Sequence, residues 1–183
     1  MREKPNNDLR SSLAEPVIHL LFDWLGALVT ALAVLVVLFI FLFRVVEVDG
    51  ESMLKTLNDK DRLVLWTIGY QPEQGDIVVV DRYTAAPLIK RVIGLEGDTV
   101  RVEEDAVYVN GLRLEEPYLD GSYPNIPNGM EVTVPDGCVF VMGDHRNNST
   151  DSRSESVGCV REENLVGKVI FRFYPFDAIG DVD

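Results

Sequence analysis

The stretch VDGESMLKTL, residues 48–57, sets a serine three residues before a lysine, Ser52 and Lys55. A serine hydroxyl attacks a carbonyl only when a base takes its proton. The groups able to act as that base therefore define the chemistry. Ser-x-x-Lys serves acyl-transfer enzymes that put both residues on one helical turn and add S-D-N and K-T-G elements. Neither tripeptide occurs here, since no lysine precedes Thr-Gly and no Ser-x-Asn exists. A Ser-His-Asp arrangement needs a histidine in the serine's domain. Only His145 qualifies, and it sits in the polar loop GDHRNNSTDSR among Asp144, Arg146, Asp151 and Arg153.

Lys60, Lys90 and Lys168 remain. Lys90 stands in PLIKRVIGLEGDTV, flanked by Leu88, Ile89, Val92 and Ile93. Period-two alternation puts Leu88, Lys90 and Val92 on one face and Ile89, Arg91 and Ile93 on the other. A lysine buried among aliphatics gives up its proton readily, because desolvation penalises the ammonium. A neutral lysine can act as general base to a serine; Arg91 cannot, because its pKa stays too high. The competing reading is a lysine that carries its head group out to water. Both readings fit the pattern.

Composition excludes several other chemistries. The formal net charge of −13 leaves no surplus of Lys and Arg for phosphates, which argues against a nucleic-acid partner. Two histidines far apart, two cysteines (Cys138 and Cys159), no C-x-x-C and no H-E-x-x-H supply no metal site. No metal or cofactor is expected. The two cysteines could pair in an oxidising compartment or serve as small buried hydrophobes.

Any such site must be carried by the elements around it. Trp24–Phe43 is an uncharged run of 20 residues, bracketed by Asp23 and Arg44. As a helix it spans about 30 Å, the thickness of the bilayer's hydrocarbon core. It is longer than a cleaved signal's apolar region and no small-x-small site follows, so it reads as a permanent anchor. Lysines and arginines flank both ends and leave orientation open. Ser52 lies nine residues beyond Phe43, a link of about 30 Å at most, which places it near the membrane surface.

Beyond residue 44 the pattern is strands. DRLVLWTI, DIVVVDRY, CVFVMGD and GKVIFRFYP are short, β-branched and bounded by turn residues. VYVNGLRL alternates around Asn110-Gly111, a strong hairpin signal. The expected architecture is mainly β: a single N-terminal transmembrane helix followed by an antiparallel, barrel-like β catalytic domain. The boundaries are a short N-terminal segment over 1–21, the anchor helix over 22–43 and the β domain over 44–183.

Three segments together resemble type I signal peptidase, the membrane-bound serine protease that removes signal peptides. They are GESMLKTL, then GDIVVV with IKRVIGLEGDTV, then GDHRNNSTDSR, in that order after an apolar helix. The resemblance implies Ser52 as nucleophile and Lys90 as general base, with Ser149 bonding and orienting the lysine. It also implies that Asp144, Asp151 and Arg153 brace the loop. The oxyanion site would use the Ser52 N–H. The second donor comes from the position of Gly50, which has no hydroxyl to offer, so a backbone N–H or water takes that place. The departures are Lys55 and Glu96, where proline is usual, and His145, where asparagine is common.

The implied substrate is a secretory preprotein with small residues one and three positions before the cut. It would lie extended along an edge strand, with Val46, Val48, Met53, Leu88 and Ile89 expected to line its pockets. The implied setting is the plasma membrane, with a single pass. Residues 1–21 would then be cytoplasmic and the catalytic domain extracytoplasmic. Two further readings compete: a self-cleaving Ser/Lys protease of the SOS-repressor type, against which the anchor argues, and a catalytically silent peptide-binding module.

Overall fold

The structure is a computed structural model and describes residues 8–82, 86–119, 121 and 129–182, with side chains from residue 18 onward. The chain divides into two compact units, Met1–Leu42 and Phe43–Asp183. The first holds one helix, α1, Asp8–Leu42, which begins well before the uncharged run. Its stretch Ile18–Leu42 has a mean hydropathy of 3.0 and is long and apolar enough to cross a membrane. None of its most apolar window is buried against protein, so no core explains its composition.

The second unit is the expected mainly β architecture, an antiparallel sheet that curls on itself. Its strands are β1 (Phe43–Glu47), β2 (Arg62–Trp66), β3 (Ile77–Val80), β4 (Leu88–Gly94), β5 (Thr99–Val102), β6 (Val107–Val109), β7 (Leu112–Arg113), β8 (Met130–Thr133), β9 (Cys138–Met142), β10 (Val160–Arg161) and β11 (Leu165–Tyr174). Seven form one sheet in the order β1-β2-β11-β3-β4-β9-β10, and four form a second in the order β7-β6-β5-β8. The Asn110-Gly111 signal yields the β6–β7 hairpin, Val109 pairing with Leu112. Both turn residues have positive φ, 53° and 79°, as a two-residue turn matched to strand twist requires.

Register explains how the site is positioned. Lys90 pairs with Val78 and Ile89 with Val79, so β4 is held by β3 along its first half. Pairing of β4 with β9 starts only at Arg91, opposite Met142. The other edge of Leu88–Lys90 therefore has no strand partner among the described residues. β1 closes one end of the large sheet and, among the described residues, pairs with β2 alone.

The Ser52 turn is fastened from below. Met53 and Leu57, at 1% and 0% exposure, enter the core cluster of Leu63, Leu65, Ile77, Val79 and Val169. Leu57 N–H closes the turn on Met53 O at 2.8 Å. Burying two such side chains contributes about 2 kcal/mol each, which holds the serine's backbone still.

Candidate active site

Lys90 Nζ donates to Ser52 Oγ at 2.7 Å and to Ile89 O at 2.8 Å. The lysine is 1% exposed. The alternation of β4 thus delivers Lys90 to the serine and not to solvent. Burial pushes its pKa down from 10.5 to about 8, against the opposing charges of Asp151 and Asp144. Lys55, three residues from Ser52, is exposed and lines a different hollow with Tyr118 and Arg172.

The loop between β9 and β10 braces this pair. Asp144 and Asp151 are fully buried. Asp144 takes Arg91 Nε at 3.0 Å and Arg91 Nη2 at 2.8 Å, and Thr56 Oγ1 at 2.5 Å. Asp151 takes Arg153 Nε and Nη2, each at 2.8 Å, and the Gly143 N–H at 2.9 Å. Burial opposes the Asp151 charge, yet Arg153, Ser149 and the Gly143 N–H together hold its carboxyl below the usual carboxylate range. His145 N–H donates to Ser52 O at 3.0 Å, and its ring Nδ1 lies 3.1 Å from Glu51 O, so it serves the turn's backbone.

Two expectations change in the structure. The Ser149 hydroxyl donates to Asp151 Oδ2 at 2.6 Å, and the described residues show no hydrogen bond between Ser149 and Lys90. Ser149 thereby fixes the loop, and among the described residues Lys90 bonds Ser52 and Ile89 O. Gly50 offers no donor in this geometry: its N–H is held by Asp59 Oδ1 at 2.9 Å, with φ at 101°. The Ser52 N–H, by contrast, has no partner among the described residues and remains available to an oxyanion.

A cleft of about 580 Å³ opens on the pair. β1 borders one side, and Ala86–Lys90 borders the other. Val46, Val48, Met53, Leu88 and Ile89 all line it, together with Val79 and Val166. Aliphatic side chains dominate its lining, with Arg44, Glu47, Asp49 and Asp81 also on it, and β1 and Leu88–Lys90, each paired on one side only among the described residues, border it.

Residues 21–174 match the family described as Signal peptidase, peptidase S26. The chain belongs to that family. It is 40% identical over 169 residues to a signal peptidase I of Bacillus amyloliquefaciens, covering 86% of this chain and 90% of the relative. It is 36% identical over 189 residues to signal peptidase I T of Bacillus subtilis (strain 168), covering 97% of each. A crystal structure of a signal peptidase I from Enterococcus faecalis V583 matches with a TM-score of 0.47 at 31% identity, over 54% of this chain and 97% of that one. Signal peptidases of this family are serine endopeptidases, and this chain is a hydrolase of that class.

Several residues of this signal peptidase's site carried no role in the sequence reading. Thr56, Glu116, Tyr118 and Arg146 all contribute buried or part-buried bonds around the loop. Cys138 and Cys159 are unbridged and half-buried against the core cluster of Ile93, Val100 and Phe140. Among the described residues, no cluster of His, Cys, Asp and Glu could hold a metal ion.

Proposed function

We propose that this chain removes signal peptides from secretory preproteins by a Ser52/Lys90 acyl-enzyme mechanism, anchored in the plasma membrane by α1 with its β domain on the extracytoplasmic side. The observation that carries the reading is the 2.7 Å contact between Ser52 Oγ and a lysine amine that is 1% exposed.

The cycle follows from that contact. Once Lys90 is neutral, Ser52 O–H donates to the Nζ lone pair, and Nζ takes the proton as Oγ attacks the scissile carbonyl. The Ser52 N–H faces the developing oxyanion. Protonated Lys90 gives its proton to the leaving amine, which departs as the mature protein's N-terminus. Water then attacks the acyl-serine while Lys90 takes its proton, releasing the signal peptide's carboxylate and restoring the serine. With a pKa of about 8, roughly one lysine in ten is neutral at pH 7, where a lysine of ordinary pKa would offer fewer than one in a thousand.

The cleft supports an extended substrate that hydrogen-bonds the edges of β1 and Leu88–Lys90. The aliphatic part of the lining, Val46, Val48, Leu88 and Ile89, suits Ala-sized side chains. Position of the cut after an Ala-x-Ala motif, the orientation and the anchoring belong to the same proposal.

The test is cleavage of a preprotein carrying an Ala-x-Ala site by the detergent-solubilised chain. Activity in wild type and Lys55→Ala, with none in Ser52→Ala or Lys90→Ala, is the expected result. Cleavage by folded Lys90→Ala would sink the assignment.

A further inference from the structure

We propose that Glu116 is a positioning residue for the Ser52/Lys90 pair, holding the β9–β10 loop against the strand that carries Lys90. This rests on the reading of that pair as the reacting groups. Glu116 lies on the segment after β7, outside every stretch that carries the family resemblance.

The connections form a closed circuit. The Glu116 carboxylate takes both terminal nitrogens of Arg146, Nη1 at 3.0 Å and Nη2 more closely. The Tyr118 hydroxyl donates to the same carboxylate at 2.8 Å. The side chains of Arg146 and Glu116 are 0% and 6% exposed. Arg146 Nε in turn holds Gly143 O at 3.1 Å. On the other side, the Tyr118 ring lies 3.9 Å from the Arg91 guanidinium, which grips Asp144. Glu116 therefore reaches the loop through Arg146, and reaches the residue after Lys90 through Tyr118.

The physical case is one of geometry. Bidentate Arg–carboxylate pairing fixes orientation as well as supplying attraction. A buried ion pair is weak evidence for stability alone, since apolar replacements can do as well. What this pair specifies is the height of Gly143, where an added Cβ would meet Ser149 and the Ser52 backbone oxygen first. A shift of about 1 Å at such a contact can cost roughly 100-fold in rate.

The experiment uses the full detergent-solubilised chain and an Ala-x-Ala preprotein, with kcat scaled to the folded fraction and measured across pH. In Glu116→Gln, kcat is expected to fall by roughly 10- to 100-fold with KM within about twofold. The acid limb should move up toward the ordinary lysine range, as a loosened loop admits water to Nζ. Folded Glu116→Gln with wild-type kcat and acid limb overturns the inference. Should that variant not fold, Tyr118→Phe decides, because it removes one hydrogen bond and leaves both charges paired. A several-fold drop in kcat at constant KM then supports the role, and a wild-type kcat overturns it. A Ser52→Ala control that still cleaves overturns the Ser52/Lys90 reading and this inference with it. A dead control beside a wild-type Glu116→Gln overturns this inference alone.

Discussion

Lys90 and Arg91 are consecutive cations on β4, both buried, at 1% and 3% exposure, and only Arg91 has a carboxylate in its grip. Asp144 neutralises the arginine through two nitrogens. Lys90 has no carboxylate within salt-bridge distance among the described residues and meets the Ser52 hydroxyl instead. Strand alternation separates the two side chains, and the separation decides their chemistry. One is a fixed charge that braces the loop, and the other is an amine whose burial favours its neutral form.

The first prediction concerns pH. If neutral Lys90 is the base, kcat/KM rises as pH passes upward through about 8, the value to which burial lowers this lysine. The kcat/KM profile of the folded enzyme checks it. An acid limb near 10 would show that burial does not depress this amine.

The same burial predicts a stability effect of opposite convenience. The folded-state pKa, about 8, lies below the ordinary 10.5, so between those values the unfolded chain binds the additional proton. Stability then rises with pH across that window, and the penalty is fully present below it. Lys90→Met removes the penalty. It should stabilise the chain at pH 7 by up to about 3 kcal/mol, less about 1 kcal/mol for the lost Ser52 hydrogen bond. Above about pH 10.5 the penalty is gone and only the lost hydrogen bond remains, so Lys90→Met should there be the less stable by about 1 kcal/mol. Denaturant unfolding of both chains at pH 7 and in the alkaline range measures it, and a Lys90→Met chain less stable at pH 7 counts against the argument.

Gly143 carries a steric prediction. A Cβ there would lie 2.3 Å from Ser149 Oγ and 2.4 Å from the backbone Ser52 O. The demand is for space, and the backbone oxygen cannot swing aside as a side chain can. Gly143→Ala should push the serine turn away from the loop and reduce kcat by roughly 100-fold. The loss should exceed whatever the melting temperature explains. Near-normal kcat in Gly143→Ala would mean that the loop tolerates displacement.

Parts of this were legible before any coordinates, for identifiable reasons. Alternation in PLIKRVIG separates Lys90 from Arg91, and Asn110-Gly111 marks its hairpin, because both signals are local. The partners of Ser149 and Gly50 were not legible. Which acceptor a hydroxyl or N–H finds depends on chain packing, and Asp151 and Asp59 compete there with better geometry. Glu116 and Arg146 are 30 residues apart, and no periodicity links them. A strand as short as β10, two residues, leaves no pattern to read.

The cleft supplies the last prediction. Ile89 lines it directly beside the lysine, packs against the cluster beneath Ser52, and accepts the Lys90 hydrogen bond through its backbone oxygen. Its side chain can therefore be shortened without removing that bond. If its bulk helps exclude residues larger than alanine from the position before the cut, Ile89→Ala should admit valine or leucine there. A pocket distinguishes one methylene by about 1–3 kcal/mol, so the preference for Ala over Leu in kcat/KM should fall roughly tenfold or more. Competition between two preproteins differing only at that position reads the ratio directly, independent of enzyme concentration. An unchanged ratio would place the size filter on the β1 side of the cleft, with Val46 and Val48 as the next residues to shorten.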